Sequence, residues 1–244
     1  MNETVTPDAK RRGGRRERRD LRTRPDHAML PTLAGQLPLT EPMDQEQIER
    51  IDAASLDILE EVGVVFRDDI ALQDWRKAGA DVRGERVHLD RGLVKSLIKT
   101  IPSEITLHAR NPEKTVALGG RQSIFIPMTG APYLRDLEDV RRSPTLDDLA
   151  TFHKLAHMLA AMHSSAHHIV EPMDHPISHR HLRITHSSML YSDKTFMGMT
   201  TSGQNAEDVL DMCAILFGEE YLETHADDTG TCNANTPLVW DETM

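Results

Sequence analysis

The chain has 244 residues, 39% hydrophobic and 27% charged, with a formal net charge of −11. Length and composition suit one or two globular domains. No apolar run approaches the roughly 20 residues that span a bilayer, and the N-terminus lacks the apolar stretch of a secretory signal. Cys213 and Cys232 form no CxxC pair and read as reduced thiols, so a cytoplasmic protein is expected.

The charge is uneven. Nine of the 28 Lys and Arg and four of the 39 acids fall in residues 1–24, leaving 19 against 35 in the rest. The acidic remainder argues against nucleic acid as the main partner, and no membrane partner is expected. The basic segment could meet an anionic surface. The blander reading is an arm lying on the acidic body of its own chain or of a neighbouring subunit.

Residues 1–43 show no helical or strand period and contain five prolines, which predicts an extended arm. Asp44 and Gln47 form a D-x-x-Q capping box, and the helix they open stops at Gly63. A short strand at 64–66, a helix at 70–78, a strand at 86–89, a helix at 92–101 and strands at 105–107 and 116–118 follow. Residues 44–122 therefore read as a small α+β region.

From Ser123 the rhythm changes to strands alternating with helices. The strands are expected at 123–128, 163–170, 195–200 and 229–234. The helices are expected from Thr145 with Asp148 at its third position, from about Ser178 to Tyr191, and from Asn205 to Gly218. Such alternation implies parallel pairing with right-handed crossovers. Four strands fit either an open doubly wound sheet or half of a (β/α)8 barrel. No glycine-rich phosphate loop follows the first strand, so a nucleotide-binding fold is disfavoured.

Nine of the 13 histidines lie between His153 and His186. His153/His157 and His175/His179 have the i,i+4 spacing at which two ligands meet one metal. Neither pair sits in HExxH, and His167-His168 on a strand would face opposite sides. His153 lies on an apolar stripe and reads as a hydrogen-bonded core residue. No metal is expected.

Ligands of parallel α/β folds sit at the C-terminal ends of strands. Those ends carry Thr129 and Gly130, then Glu171 and Asp174, then Thr201 and Ser202, then Asn233 and Asn235. No Lys or Arg is among them, so the set suits a cationic or polyhydroxylated small ligand. Thr, Ser and Asn at such places also serve as helix caps and turn formers. Glu171 stands apart, because Ile169-Val170 precede it and Pro172 follows.

Several stretches resemble the trimethylamine methyltransferase family, including its members that lack pyrrolysine. They are Arg11-Arg12-Gly13-Gly14-Arg15-Arg16, residues 58–64 (ILEEVGV), residues 106–112 (TLHARNP), Gly130-Ala131-Pro132 with Asp136-Leu137-Glu138, and residues 233–238 (NANTPL). The resemblance implies a (β/α)8 barrel that moves a methyl group from a methylated amine to the Co(I) of a corrinoid. The corrinoid would be carried on a partner protein. A quaternary ammonium is already an activated leaving group, so the protein would align N, methyl and cobalt and exclude water. Family members are roughly twice as long, and the resemblance places their pyrrolysine position in a second half. No catalytic residue is thereby assigned here.

The expectation is an N-terminal half: an arm at 1–43, an α+β region at 44–122 and the first four βα units at 123–244. Such a chain would be inactive alone and would pair with a second copy, as a homo-oligomer, or with the other half. The alternative is a non-catalytic binding or scaffold member of the same fold, with a metal-dependent hydrolase a distant third.

Overall fold

Residues 28–38, 40–225 and 238–240 are described by this computed structural model. The chain enters along its own surface. Leu30 N donates to Ala160 O at 2.8 Å, and β1 (Leu33–Ala34) pairs antiparallel with residues 122–123. Residues 1–27 of the expected arm lie outside the described residues.

Helix α1 (Gln45–Asp57) opens on the capping box: Gln47 N donates to Asp44 Oδ1 at 2.8 Å, and Asp44 N to Gln47 Oε1 at 3.0 Å. A wide final turn over Ile58–Val62 ends at Gly63, φ 71°. A Cβ on Gly63 would stand 2.6 Å from Val87 O, so both the backbone angle and the space require glycine. Helix α2 (Asp69–Ala78) follows β2 (Val64–Phe66), and β3 (Asp81–Arg83) and β4 (Arg86–His88) form a hairpin. The sequence reading missed β3, whose single apolar residue, Val82, is too short a signal for alternation to register. Helix α3 (Arg91–Ile98) starts on Asp90 and ends three residues before the expected limit. Leu72, Val87 and Leu89 form the core of this region, with Leu59, Trp75 and Val94 around them.

Next come an antiparallel pair, β5 (Glu104–Leu107) and β6 (Val116–Gly119), and then β7 (Gln122–Ser123). Residues 124–131, 163–170 and 195–200 run side by side as extended segments. Parallel bridges join Ala131 to Val170 and Ser164 to Thr195. Regular strands were expected at 123–128, 163–170 and 195–200, and two features break the ladder. Pro127 has no N–H to give, and Ala166 has φ 56°, which shifts the register of the bonds around it. The first segment leads into a hairpin of β8 (Leu134–Arg135) and β9 (Arg141–Arg142).

Helix α4 (Leu146–Met158) opens on Thr145 and Asp148 as expected. Helix α5 (Ile177–Tyr191) packs between α4 and α6 (Gly203–Phe217). The cap of α6 is Ser202 rather than Asn205, because Ser202 Oγ accepts from Asn205 N at 3.2 Å. A short α7 (Glu219–Leu222) follows. The fourth expected strand, 229–234, lies outside the described residues. Beyond it, β10 (Val239–Trp240) joins β2 in parallel, and Trp240 stacks on Phe66.

The architecture is thus mixed α/β, with helices and small sheets. Among the described residues no sheet closes into a barrel. No helix among them is long and apolar enough to cross a membrane.

The stretch 106–114 fastens the α+β region to the parallel segments. Arg110 donates to Met189 O at 2.8 Å, at the end of α5. Asn111 N donates to Asp193 O at 3.0 Å, and Lys114 Nζ meets Asp193 Oδ1 at 2.5 Å. Burial pushes the Asp193 carboxyl up, but Lys114, Asn111 and His157 together hold it below its ordinary value. A depressed carboxyl stabilises the fold above its unfolded pKa, near 4, and that contribution is lost as pH falls further. Asp193→Ala leaves the largely buried Lys114 without its counter-charge. We expect it to lower the unfolding free energy by about 2 kcal/mol in urea titrations at pH 7, with the difference shrinking below about pH 4.

Candidate functional site

The C-terminal ends of the parallel segments meet at Gly130 and Glu171. Gly130 has φ 80°, and its N–H donates to His168 O at 2.7 Å. Glu171 N returns a bond to Ala131 O at 3.0 Å. Thr129 is half-buried just before Gly130. The His168 ring lies against Gly130, where a Cβ would stand 3.4 Å from Nε2.

Glu171 is half-buried, and Arg180 Nη1 donates to its Oε1 at 2.6 Å. Its Oε2 lies 3.8 Å from His168 Nε2. A guanidinium has five N–H groups. Two others of Arg180 point at His175 O, at 2.8 and 3.2 Å. No Lys or Arg stands at the strand ends themselves, but a helix brings the Arg180 guanidinium to them. Arg180 comes from the first turn of α5, nine residues after Glu171, and reaches it only because the connecting loop folds back.

The histidines here are held neutral. Burial lowers His168, against the upward pull of the Glu171 carboxylate. Burial, then His168 and His153, bring His167 down to about 4. The His167 and His168 rings touch through their Nδ1 atoms, with centroids 4.0 Å apart. Opposite faces were expected for them, and the left-handed residue Ala166 just before them removes that alternation.

The other expected site residues are placed differently. Asp174 Oδ1 accepts from Leu146 N at 3.0 Å, at the start of α4. Thr201 Oγ1 accepts from Asn205 Nδ2 at 2.8 Å, and Ser202 caps α6. Asn233 and Asn235 lie outside the described residues. Thus Gly130 and Glu171 come together with His168 and Arg180, which the sequence reading had not named as ligand contacts. Among the described residues, no group of three or more His, Cys, Asp and Glu side chains is arranged to hold a metal ion.

The result is a partly buried carboxylate–guanidinium pair edged by neutral imidazoles. Chemically it can take a positive group against Glu171 and an acceptor against Arg180. It offers hydrogen bonds from neutral rings, and no Ser, Thr, Cys or Lys stands among these four residues.

Comparison with known proteins gives a consistent result. The family model for trimethylamine methyltransferase (MTTB) matches residues 11–244. The chain is 40% identical over 209 residues to the glycine betaine methyltransferase of Desulfitobacterium hafniense strain Y51, covering 85% of this chain and 44% of that protein. It is 25% identical over 182 residues to the trimethylamine methyltransferase MttB of Desulfitobacterium hafniense strain DSM 10664 / DCB-2, covering 72% and 36%. It is 32% identical over 112 residues to the proline betaine:corrinoid methyltransferase of Eubacterium limosum, covering 44% and 22%. The chain spans less than half the length of these relatives. The match over nearly all of its own length shows that the chain belongs to the trimethylamine methyltransferase family.

Proposed function

We propose that this chain serves methyl transfer from a methylated amine to a corrinoid carried on a separate protein. The amine is of the quaternary, carboxylate-bearing kind that glycine betaine represents. The observation that carries this reading is the Glu171–Arg180 pair at the C-terminal end of the middle parallel segment. Its two charges complement the two ends of a zwitterion, whereas trimethylamine offers nothing to a guanidinium. The 40% identity to a glycine betaine methyltransferase supports the same choice.

In this reading the segments 124–131, 163–170 and 195–200 are successive strands of a (β/α)8 barrel, and Gly130, His168 and Glu171 form part of its mouth. Glu171 holds the ammonium, and Arg180 turns the carboxylate away from the reacting methyl. The neutral rings of His167 and His168 add no competing charge. The corrinoid supplies a strong nucleophile in its Co(I) state, and the protein's task is alignment and exclusion of water.

The test is calorimetric titration of the 244-residue chain with glycine betaine and with trimethylamine. Glycine betaine should bind at least about tenfold more tightly, the value of one charge-assisted contact. Equal binding of the two, or no binding of glycine betaine, overturns the reading.

A further inference from the structure

Four successive carbonyls, from Ala166 to Ile169, are held by neighbours on four different elements. Ala166 O accepts from Met197 N on the third segment and from Ser188 Oγ on α5, each at 3.3 Å. His167 O accepts from His153 Nε2 on α4 at 2.7 Å. His168 O and Ile169 O accept from Gly130 N and Ala131 N on the first segment, at 2.7 and 3.4 Å. The run begins at Ala166, a fully buried non-glycine residue in the left-handed region. Such a residue persists only where its surroundings over-determine it, and such places cluster at functional sites.

His153 is the one ring among these holders, and it is fully buried. A carbonyl only accepts, so His153 Nε2 carries the hydrogen. Its Nδ1 lies 2.9 Å from Ser187 Oγ, and burial favours the neutral ring, so Nδ1 accepts from that hydroxyl. Helices α4 and α5 thereby reach through the core to the tip that carries His168 and Glu171.

We propose that His153 is a positioning residue. Its Nε2–H, kept in that tautomer by the His167 carbonyl, fixes the 166–171 tip so that the His168 ring and the Glu171 carboxylate stand where the ligand meets them. The ligand-facing part of this inference rests on the function proposed above. The positioning itself does not.

The experiment compares His153→Phe and His153→Gln in the 244-residue chain by amide hydrogen exchange. Phenylalanine keeps the ring volume without a donor, while glutamine places an amide donor near the position of Nε2. In His153→Phe, the amides of Gly130 and Glu171, which tie the tip to the first segment, should exchange about tenfold faster, and those of Val65 and Phe66 should be unchanged. His153→Gln should restore the rates to within about threefold. Ring nitrogen shifts of His153 should report an Nε2–H tautomer in the wild type. Unchanged exchange at Gly130 and Glu171 in His153→Phe, or no rescue by glutamine, overturns the proposal. If His153→Phe does not fold, the wild-type ring nitrogen shifts decide, because an Nδ1–H tautomer would leave His167 O without its donor and overturn the proposal. Glycine betaine titration separates the two readings. A wild type that does not bind glycine betaine refutes the proposed function, whereas the exchange pattern alone decides the role of His153.

Discussion

Lys194→Met is expected to lower the unfolding free energy by about 3–5 kcal/mol, the largest stability loss from any single substitution considered for this chain. Lys194 is fully buried, and its ammonium donates to Ala156 O, Leu159 O and Met162 O at 2.7–2.8 Å. These carbonyls lie at and beyond the end of α4, where backbone acceptors have no partner within the helix and a cation is favoured. Methionine fills the stem but leaves the three carbonyls bare. Burial lowers the Lys194 pKa to about 8. The unfolded chain therefore binds more protons than the folded one between about pH 8 and 10, and stability through this group rises with pH in that window. Urea unfolding at pH 7.5 and 9.5 checks both points. The wild type should gain from Lys194 at the higher pH, and Lys194→Met should not. A loss below about 1 kcal/mol would show that the three bonds do not hold the end of α4.

Glu171→Gln is expected to weaken glycine betaine binding by about 10- to 100-fold, measured by titration calorimetry. Glutamine keeps the shape of the side chain and one acceptor for Arg180, but removes the only carboxylate within reach of His168 in this cluster. Loss of that charge leaves the guanidinium facing the ammonium of the ligand without compensation. Thermal unfolding measured alongside separates the effect on the ligand from the effect on the loop. A dissociation constant within about twofold of the wild type would place the ammonium elsewhere.

Legibility of the fold followed how local each signal was. The starts of α1 and α4 were plain, because a cap and its partner three residues on are read directly from Asp44/Gln47 and Thr145/Asp148. The start of α6 was misplaced by three residues because Ser202 and Asn205 are both cap formers, and only the bond between them shows which is the cap. The parallel segments were located, yet their irregularity was not, since nothing in the composition around Ala166 announces a left-handed backbone.

The site was legible in part for the same reason. Glu171 stood out as a carboxylate between an apolar pair and a proline. Arg180 did not, because its approach depends on how residues 172–179 fold back. Asp174, Thr201 and Ser202 were polar residues at the right ends of strands, but those ends are also where the next helix needs partners for its first N–H groups, and there the structure engages them. The TLHARNP stretch carried the family resemblance, and much of it serves attachment: Arg110 and Asn111 bind the end of α5 and the residues just after it.

Methyl transfer from a quaternary, carboxylate-bearing amine is checked by following the Co(I) absorbance of a corrinoid protein mixed with glycine betaine. The measurement is made with the 244-residue chain alone and with a chimera joining this chain to the part of the Desulfitobacterium hafniense glycine betaine methyltransferase that it does not match. The chimera should deplete Co(I) and form dimethylglycine one for one, and Glu171→Gln in the chimera should abolish most of this. A folded chimera that binds glycine betaine yet leaves Co(I) unmethylated would rule out methyl transfer, and would make this chain a binding module of the same fold.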